Sequence, residues 1–468
     1  MSRKSSRRFR ELGTSQPPAD SRVVLRRAVV LGGSIAGLLA ARVLSEHATE
    51  VVIIERDDLE AAAAGRPGAP QSTQVHALLD GGRIQMDRWF PGFSRDLIAA
   101  GAVLSRDDAI RMYVNGIVKA PASDEMISAS RPFLEVHVRA RTLSLPNVHF
   151  IRAQVRDLAF AEGRVSGVRC TLAGEPADEI KSMAADLVVD AMGRSSRLSD
   201  WLERAGLQRP EMRRIGIDLN YATAVFRRGG DSHGATSVQA IVLPQGGRRA
   251  GVSALTAVEG DRWTMLLAGF ADDRPTNDPE DFRERCRRLP PVFAEVADKC
   301  QMISPVATYR QADSRRRDFH LIRNLPAGLV AVGDAVASFN PVYGQGMSSA
   351  ALHASCLSAY LRSVTSLAKP ARDYFELVRV VVDAAWQTST LNDLALPHVN
   401  GPYPRGYRIA RRISDLILRA SVVDTEMNQR FLQVAHMRTH PNDLIRPGTL
   451  FRAARVTRSQ RSRQRVAG

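Results

Sequence analysis

Three segments place glycines and carboxylates where an apolar strand gives way to a turn, a pattern that can grip a phosphate-bearing cofactor. In AVVLGGSIAGLLAARVLSEH (28–47) an apolar run meets Gly32 and Gly33, and Ile35, Leu38, Leu39 and Val43 follow at helical spacing. Gly32 permits the sharp turn and Gly37 lets helix and strand pack closely, while Ser34 stands where the dinucleotide fingerprint has its middle glycine. Serine is small, and its hydroxyl can donate to a phosphate oxygen at the helix N-terminus. The next strand, in EVVIIERD (50–57), ends in Glu55 and Arg56 about twenty residues past the turn. A carboxylate there accepts from a ribose hydroxyl and repels a 2′-phosphate, which favours FAD or NAD over NADP.

DLVVDAMGRSSR (186–197) and GLVAVGDAVASFNPVYGQGM (328–347) repeat the design. Each strand delivers an aspartate, Asp190 or Asp334, to the carboxyl edge of a sheet, with Gly193 breaking the first. In the third segment Pro341 fixes a bend, Gly344 and Gly346 let backbone lie against a flat ring, and a helix starts near Met347. Its N-terminal amides would face an anion. Three such edges suggest one shared crevice.

The trio GGSIAG, DAMGRSS and VGDAVASFNPVYGQGM resembles the FAD-dependent monooxygenases related to para-hydroxybenzoate hydroxylase. RPGAPQSTQVHALL (66–79), VVDAMGR and FNPVYGQGMSSAALHA are similar to bacterial flavin-dependent epoxidases of polyether biosynthesis, the lasalocid and monensin type. The match runs from about residue 25 to about residue 390. The resemblance implies that Gly32, Gly33, Ser34 and Gly37 hold the FAD pyrophosphate and Glu55 the adenosine ribose. Arg131 of ISASRPFLE would lie against the cofactor, and the Val155 backbone would meet the adenine. Asp334 would bind the ribityl chain, Gly344, Gln345, Gly346 and Met347 would border the isoalloxazine, and Asp190 and Gly193 would serve FAD and transient nicotinamide contact. His76 falls in a family segment near the flavin, although a lone histidine opening an apolar helix also reads as a packing or capping residue.

The implied reaction is insertion of one oxygen atom from O2 through a flavin C4a-hydroperoxide, epoxidising or hydroxylating a lipophilic polyketide- or terpene-like substrate of secondary metabolism. NAD(P)H would be the reductant, directly or through a flavin reductase, since no second glycine-rich turn could store it. The rivals are a flavin-dependent halogenase, an FAD-linked prenyl-chain reductase and a non-catalytic basic binding protein. The halogenase reading lacks its tryptophan-rich WxWxIP segment, and the chain has few lysines.

These turns require an α/β fold: a Rossmann-like FAD-binding domain over 25–210 and 315–370, interrupted by a substrate domain at 211–314. GIDLNYATAVF, ATSVQAIVL, RAGVSALTAV and RWTMLLAGF read there as an antiparallel β-sheet, with Tyr221, Trp263 and Met265 as candidates to line a substrate pocket. A C-terminal helical layer follows at 371–450. The ends, a basic arm at 1–24 and a basic tail at 451–468 with Arg452, Arg455, Arg458 and Arg461 every third residue, read as disordered or frayed.

Net charge is +16 and only five of the 65 basic residues are lysines, an arginine bias read as compositional rather than as a nucleic-acid surface. No apolar run is long enough for a transmembrane segment, and no export signal is evident. Cys170, Cys286, Cys300 and Cys356 are scattered, which suits a reducing cytoplasm without disulfides or zinc. His436 and His440 share a helical spacing but have no third partner, so no metal is expected.

Overall fold

The structure, a computed structural model, describes residues 3–58, 74–229, 234–244 and 248–466. Residues 66–73 of the RPGAPQSTQVHALL segment lie outside this set, as does the Arg461 side chain.

A seven-stranded sheet forms the first layer. Its order runs Lys181–Ala184, Arg164–Leu172, Val148–Ala161, Ala48–Glu55, Leu25–Leu31, Leu187–Asp190, Leu329–Ala331. The last five strands pair in parallel, and the outer two add as antiparallel hairpins. Parallel strands covered on both faces read as near-continuous apolar runs. Val29, Val30 and Leu31 and their neighbours Val188 and Val189 are fully buried accordingly. The helices Ile35–Leu44 and Gln345–Ser363 pack on each other across this sheet, and Arg131–Leu143 packs beside the first.

The second layer is an eight-stranded sheet ordered Ala337–Ser338, Ala307–Arg317, Met212–Arg227, Arg262–Phe270, Gly251–Val258, Ser237–Val242, Ile110–Val114, Ile117–Val118. The fold is thus α/β, with a Rossmann-like sheet, a second largely antiparallel sheet and a helical C-terminal region. The second sheet is wider than the segment 211–314 and is mixed, because Ser237–Val242 pairs in parallel with Ile110–Val114. Short strands from 110–118 extend one edge, and 337–338 extends the other.

Side chains alternate across this sheet. Trp263, Met265 and Leu267 point into a closed apolar core with Phe282 and Phe293 of the helices Pro279–Arg287 and Pro291–Lys299. Trp263 and Met265 therefore do not line a pocket; they are one residue out of phase with Leu266, which does. Tyr221 lies on the open face.

Both termini depart from the disordered reading. The basic arm forms a helix, Arg3–Leu12, whose Phe9 is fully buried edge-on against the His440 ring, with centroids 5.8 Å apart. Phe9 and Leu12 supply the apolar anchor that the surrounding arginines obscure. The tail continues the helix Pro447–Val466, which buries Ala453 against the helices Tyr407–Val423 and Thr425–Ala435. Arg452 pairs with Asp424 at 2.9 Å and Glu426 at 2.5 Å. Nor is 371 a boundary, since Arg372–Asp393 buries Tyr374, Phe375 and Val378 in the core of the first sheet. No helix among the described residues is long and apolar enough to cross a membrane.

Candidate active site

The strands Leu25–Leu31, Leu187–Asp190 and Leu329–Ala331 are adjacent and parallel, so their carboxyl ends open at one edge. A cavity of about 1770 Å³ spreads from that edge beneath the second sheet. Single-ligand pockets are typically about 300–1,000 Å³, so this one has room for a large cofactor and a second molecule.

The first turn has Gly32 at φ +110°, where a Cβ would lie 2.6 Å from the Ala191 carbonyl oxygen. A Cβ on Gly37 would fall 1.9 Å from the Gly32 carbonyl oxygen, so the helix touches the strand at that point. Gly37 therefore does not reach the cavity, and neither does Gly33, whose amide donates to Glu55 Oε2 at 2.8 Å. Gly32, Ser34, Ile35 and Ala36 do line it. The Ser34 hydroxyl departs from the expected phosphate donor. It donates to Glu135 Oε2 at 2.9 Å and accepts from Arg131 Nη2 at 3.0 Å. Arg131 also pairs with Glu135 and lines the cavity, so a small buried network fixes the turn. Anion-binding capacity is left to the helix amides, because no side chain caps Ile35–Leu44.

Glu55 and Arg56 line the cavity, but the carboxylate already accepts from three backbone amides, those of Gly33, Arg56 and Asp57. Val155 lines the cavity as well. Asp190 is fully buried and stays out of the cavity, a correction to its expected direct contact. Its oxygens accept from the Met192 amide at 3.0 Å and the Ser196 hydroxyl at 2.5 Å, shaping the turn through which Met192, Gly193 and Arg194 reach the cavity. Burial raises its carboxyl above the ordinary range, against these hydrogen bonds.

The third segment supplies the rest. Asp334 lines the cavity; burial raises its carboxyl, and the Arg131 and Arg194 guanidiniums pull it down. The Gly333 amide donates to His353 Nδ1 at 2.9 Å, and burial holds that imidazole neutral with a pKa of about 3. Pro341–Tyr343 forms a short 3-10 turn, and Gly344 at φ +67° starts the helix Gln345–Ser363, which also has no side-chain cap. Pro341, Gly344, Gln345, Gly346 and Met347 all line the cavity. A Cβ on Gly346 would meet nothing within 4 Å, and Gln345 Oε1 is buried without a hydrogen-bond partner. Uncapped amides, an orphaned amide oxygen and an open glycine are the features of a cradle for a flat, anion-bearing ligand.

His76 lines the same cavity. Its Nδ1 lies 2.8 Å from the Gln74 carbonyl oxygen, an acceptor only, so Nδ1 carries the proton and Nε2 offers a lone pair. Burial, reinforced by Arg131, lowers its pKa to about 4. His436 also lines the cavity and lies 3.3 Å from Asp124, whereas His440 caps a turn by accepting from the Asn442 amide.

Motif reading missed a second cluster. Asp393 Oδ1 accepts from Asn340 at 2.8 Å and from the Tyr343 hydroxyl at 2.9 Å, tying the cavity-lining turn to the helix Arg372–Asp393. Burial raises its pKa to about 7. Asp393 lies on a helix outside every glycine motif and gave no local signal. Arg194, which binds Asp313 of the second sheet, lay inside the quoted GRSS run.

Among solved structures the chain resembles the flavin-dependent brominase Bmp2, with a TM-score of 0.65 and 13% identity over 94% of this chain and 98% of that one. It also resembles p-nitrophenol 4-monooxygenase PnpA from Pseudomonas putida DLL-E4, with a TM-score of 0.62 and 18% identity over 89% and 99%. At these identities the likeness is one of fold. No family model matches. Protein Rv3254 of Mycobacterium tuberculosis (strain ATCC 25618 / H37Rv) is 33% identical over 421 residues, 87% of this chain and 88% of that protein. The chain belongs to the family of Protein Rv3254.

Proposed function

We propose that this protein is an FAD-dependent monooxygenase that passes one oxygen atom from O2 to a lipophilic small molecule, epoxidising an alkene or hydroxylating an electron-rich ring. The observation that carries the reading is the convergence of three strand-end turns and two uncapped helix N-termini on one cavity. The fold is shared with flavin-dependent oxygenases and with a brominase.

FAD, when bound and reduced, supplies the activation of O2. The amides after Ser34 would hold its pyrophosphate, with Glu55, Arg56 and Val155 at the adenosine end. Asp334 would serve the ribityl hydroxyls, and Gly344, Gln345, Gly346 and Met347 would border the ring. Asp190, Gly33 and Gly37 act one step back, by shaping the turns. The second sheet and the helices after residue 371 orient the substrate and exclude water. The setting is a reducing cytoplasm, with NAD(P)H as reductant, directly or through a reductase; the four cysteines are free.

The first test is colour. Purified protein should show a bound-FAD absorption spectrum, and NAD(P)H-dependent oxygen uptake should accompany the gain of one oxygen atom by an unsaturated lipophilic compound. A colourless protein that takes up no added FAD overturns the proposal. Bromide-dependent product would replace it with the halogenase reading, and gain of two hydrogens with the reductase reading.

A further inference from the structure

One buried lysine that lines the cavity has no role in the site described above. Lys119 follows the outermost strand, Ile117–Val118, of the second sheet. Its amide donates to the Met112 carbonyl at 2.8 Å, and the registers Met112–Gln239, Gln239–Ala254, Ala254–Leu266 and Leu266–Thr223 continue the row inward. Lys119, Met112, Gln239, Ala254 and Leu266 all line the cavity, and the Thr223 hydroxyl donates to the cavity-lining Gln74, two residues from His76. Five strand spacings of about 4.8 Å separate the two ends of this row, so the cavity floor extends roughly 24 Å from the His76 side to Lys119.

The ammonium end is anomalous. Nζ is buried, has no hydrogen-bond partner among the described residues and lies 4.0 Å from the centroid of the Phe431 ring. Among the described residues no carboxylate pairs with it: Asp124 faces His436, and Asp424 is engaged by Arg452. Contact with a ring face recovers only a small part of what burying a lone cation costs. Burial alone pulls its pKa down to about 7, so the amine is poised to take a proton when an anion arrives. Lysine is almost never fully buried unless paired, and Lys119 and the Phe431 that covers its amine both line the cavity, so an acid group in the cavity reaches the amine where these two side chains part.

Resting on the monooxygenase reading, we propose that the substrate is a long lipophilic carboxylate whose acid group is anchored by Lys119, with its chain laid along the sheet toward the cofactor end. The apolar floor takes the chain, and the amine fixes its register, which decides the carbon offered for oxidation. Lys119 is a binding residue here and not a catalytic one.

The test is calorimetric, with oleate and oleyl alcohol as matched probes on the purified protein supplied with FAD and on Lys119→Met. The wild type should bind oleate at least tenfold tighter than the alcohol. The preference should fade as pH rises through the amine's range, because only the protonated form attracts the anion. Lys119→Met should bind both probes about as the wild type binds the alcohol. It should melt no lower than wild type, since an apolar side chain of similar length replaces an unpaired cation. Equal binding of the two probes to wild type, failure of both to bind, or a preference that survives in Lys119→Met overturns the anchor. Absorbance of the same samples separates the two readings: yellow protein without the preference sinks the anchor alone, whereas colourless protein with a Lys119-dependent preference sinks the oxygenase and spares the anchor.

Discussion

Two glycines in this protein make different physical claims, and the difference can be measured. Gly346 is the second residue of the helix Gln345–Ser363, with no positive φ, and a Cβ there meets no protein atom within 4 Å. Without cofactor, Gly346→Ala should be neutral or slightly stabilising, because alanine is favoured over glycine within a helix by about 0.5–1 kcal/mol. With cofactor, the methyl projects into the cradle. Forcing a methyl into a packed contact costs about 1–3 kcal/mol, which at about 1.4 kcal/mol per factor of ten is roughly a 5- to 140-fold loss of FAD affinity. Gly37→Ala is the contrast. Its Cβ would lie 1.9 Å from the Gly32 carbonyl oxygen and 3.3 Å from Ala191 Cβ, so helix and strand must separate. That variant should lose about 3 kcal/mol or more of stability together with FAD. Apo-protein melting and fluorescence titration with FAD read the two quantities separately. If Gly346→Ala binds FAD like wild type, the ring does not lie against this helix, and the assignment of the third turn fails.

Other consequences follow from buried polar groups. Asp393 titrates at about 7 against an ordinary 3.8, so between these values the folded state holds a proton that the unfolded chain has lost, and stability falls as pH rises through that window. Asp393→Asn keeps an acceptor for Asn340 and Tyr343 without the charge, so its melting temperature should gain on wild type from about pH 4 to about pH 7 and run parallel above. A constant gap across that range would refute the assignment. Glu55→Ala strands the amides of Gly33, Arg56 and Asp57; at about 1–3 kcal/mol for each buried group left unpaired, denaturant melts should shift clearly and FAD binding weaken with them. Phe9→Ala, at a fully buried site of the N-terminal helix, should cost about 3–5 kcal/mol in urea unfolding, whereas an undocked arm would show no change.

What the sequence disclosed and what it hid divide along the range of the forces involved. The three turns were legible because each is local: Gly32 at φ +110° answers a need of its own backbone, and a run such as Leu329–Ala331 announces its burial in its own composition. Their meeting at one edge was an inference from parallel-sheet geometry, and the strand order carries it. Roles that depend on distant partners were not legible. The Ser34 hydroxyl suits a phosphate by its local position, yet Glu135, a hundred residues on, accepts its hydrogen bond. Trp263 and Met265 sat one residue out of phase with the cavity face, which only the register with Met212–Arg227 decides. The parallel pairing of Ile110–Val114 with Ser237–Val242 joins segments more than a hundred residues apart, and no short pattern encodes it. The arginine-rich ends hide their docking for a related reason, since composition averages over Phe9 and Ala453, single residues that decide whether a helix docks.

The titration states within the cavity bear on the kind of oxidation it suits. His76 is neutral at physiological pH, with Nε2 as a free acceptor, but a pKa of about 4 makes it a feeble base. Burial raises the Tyr221 and Tyr343 hydroxyls above the ordinary phenol range and raises the Asp334 carboxyl against the pull of Arg131 and Arg194. Activating a phenol toward an electrophilic oxygen calls for removal of its proton, and the efficiency of that step depends on a base whose pKa lies near the working pH. An isolated double bond makes no such demand; it needs alignment, exclusion of water and a fixed register along the cavity. His76 is a feeble base, and the two groups with pKa values of about 7 lie elsewhere, Asp393 behind Tyr343 and Lys119 roughly 24 Å along the sheet, so the cavity is better matched to the second requirement. Within the proposed activity, that weighs for epoxidation of an unsaturated chain over hydroxylation of a phenol.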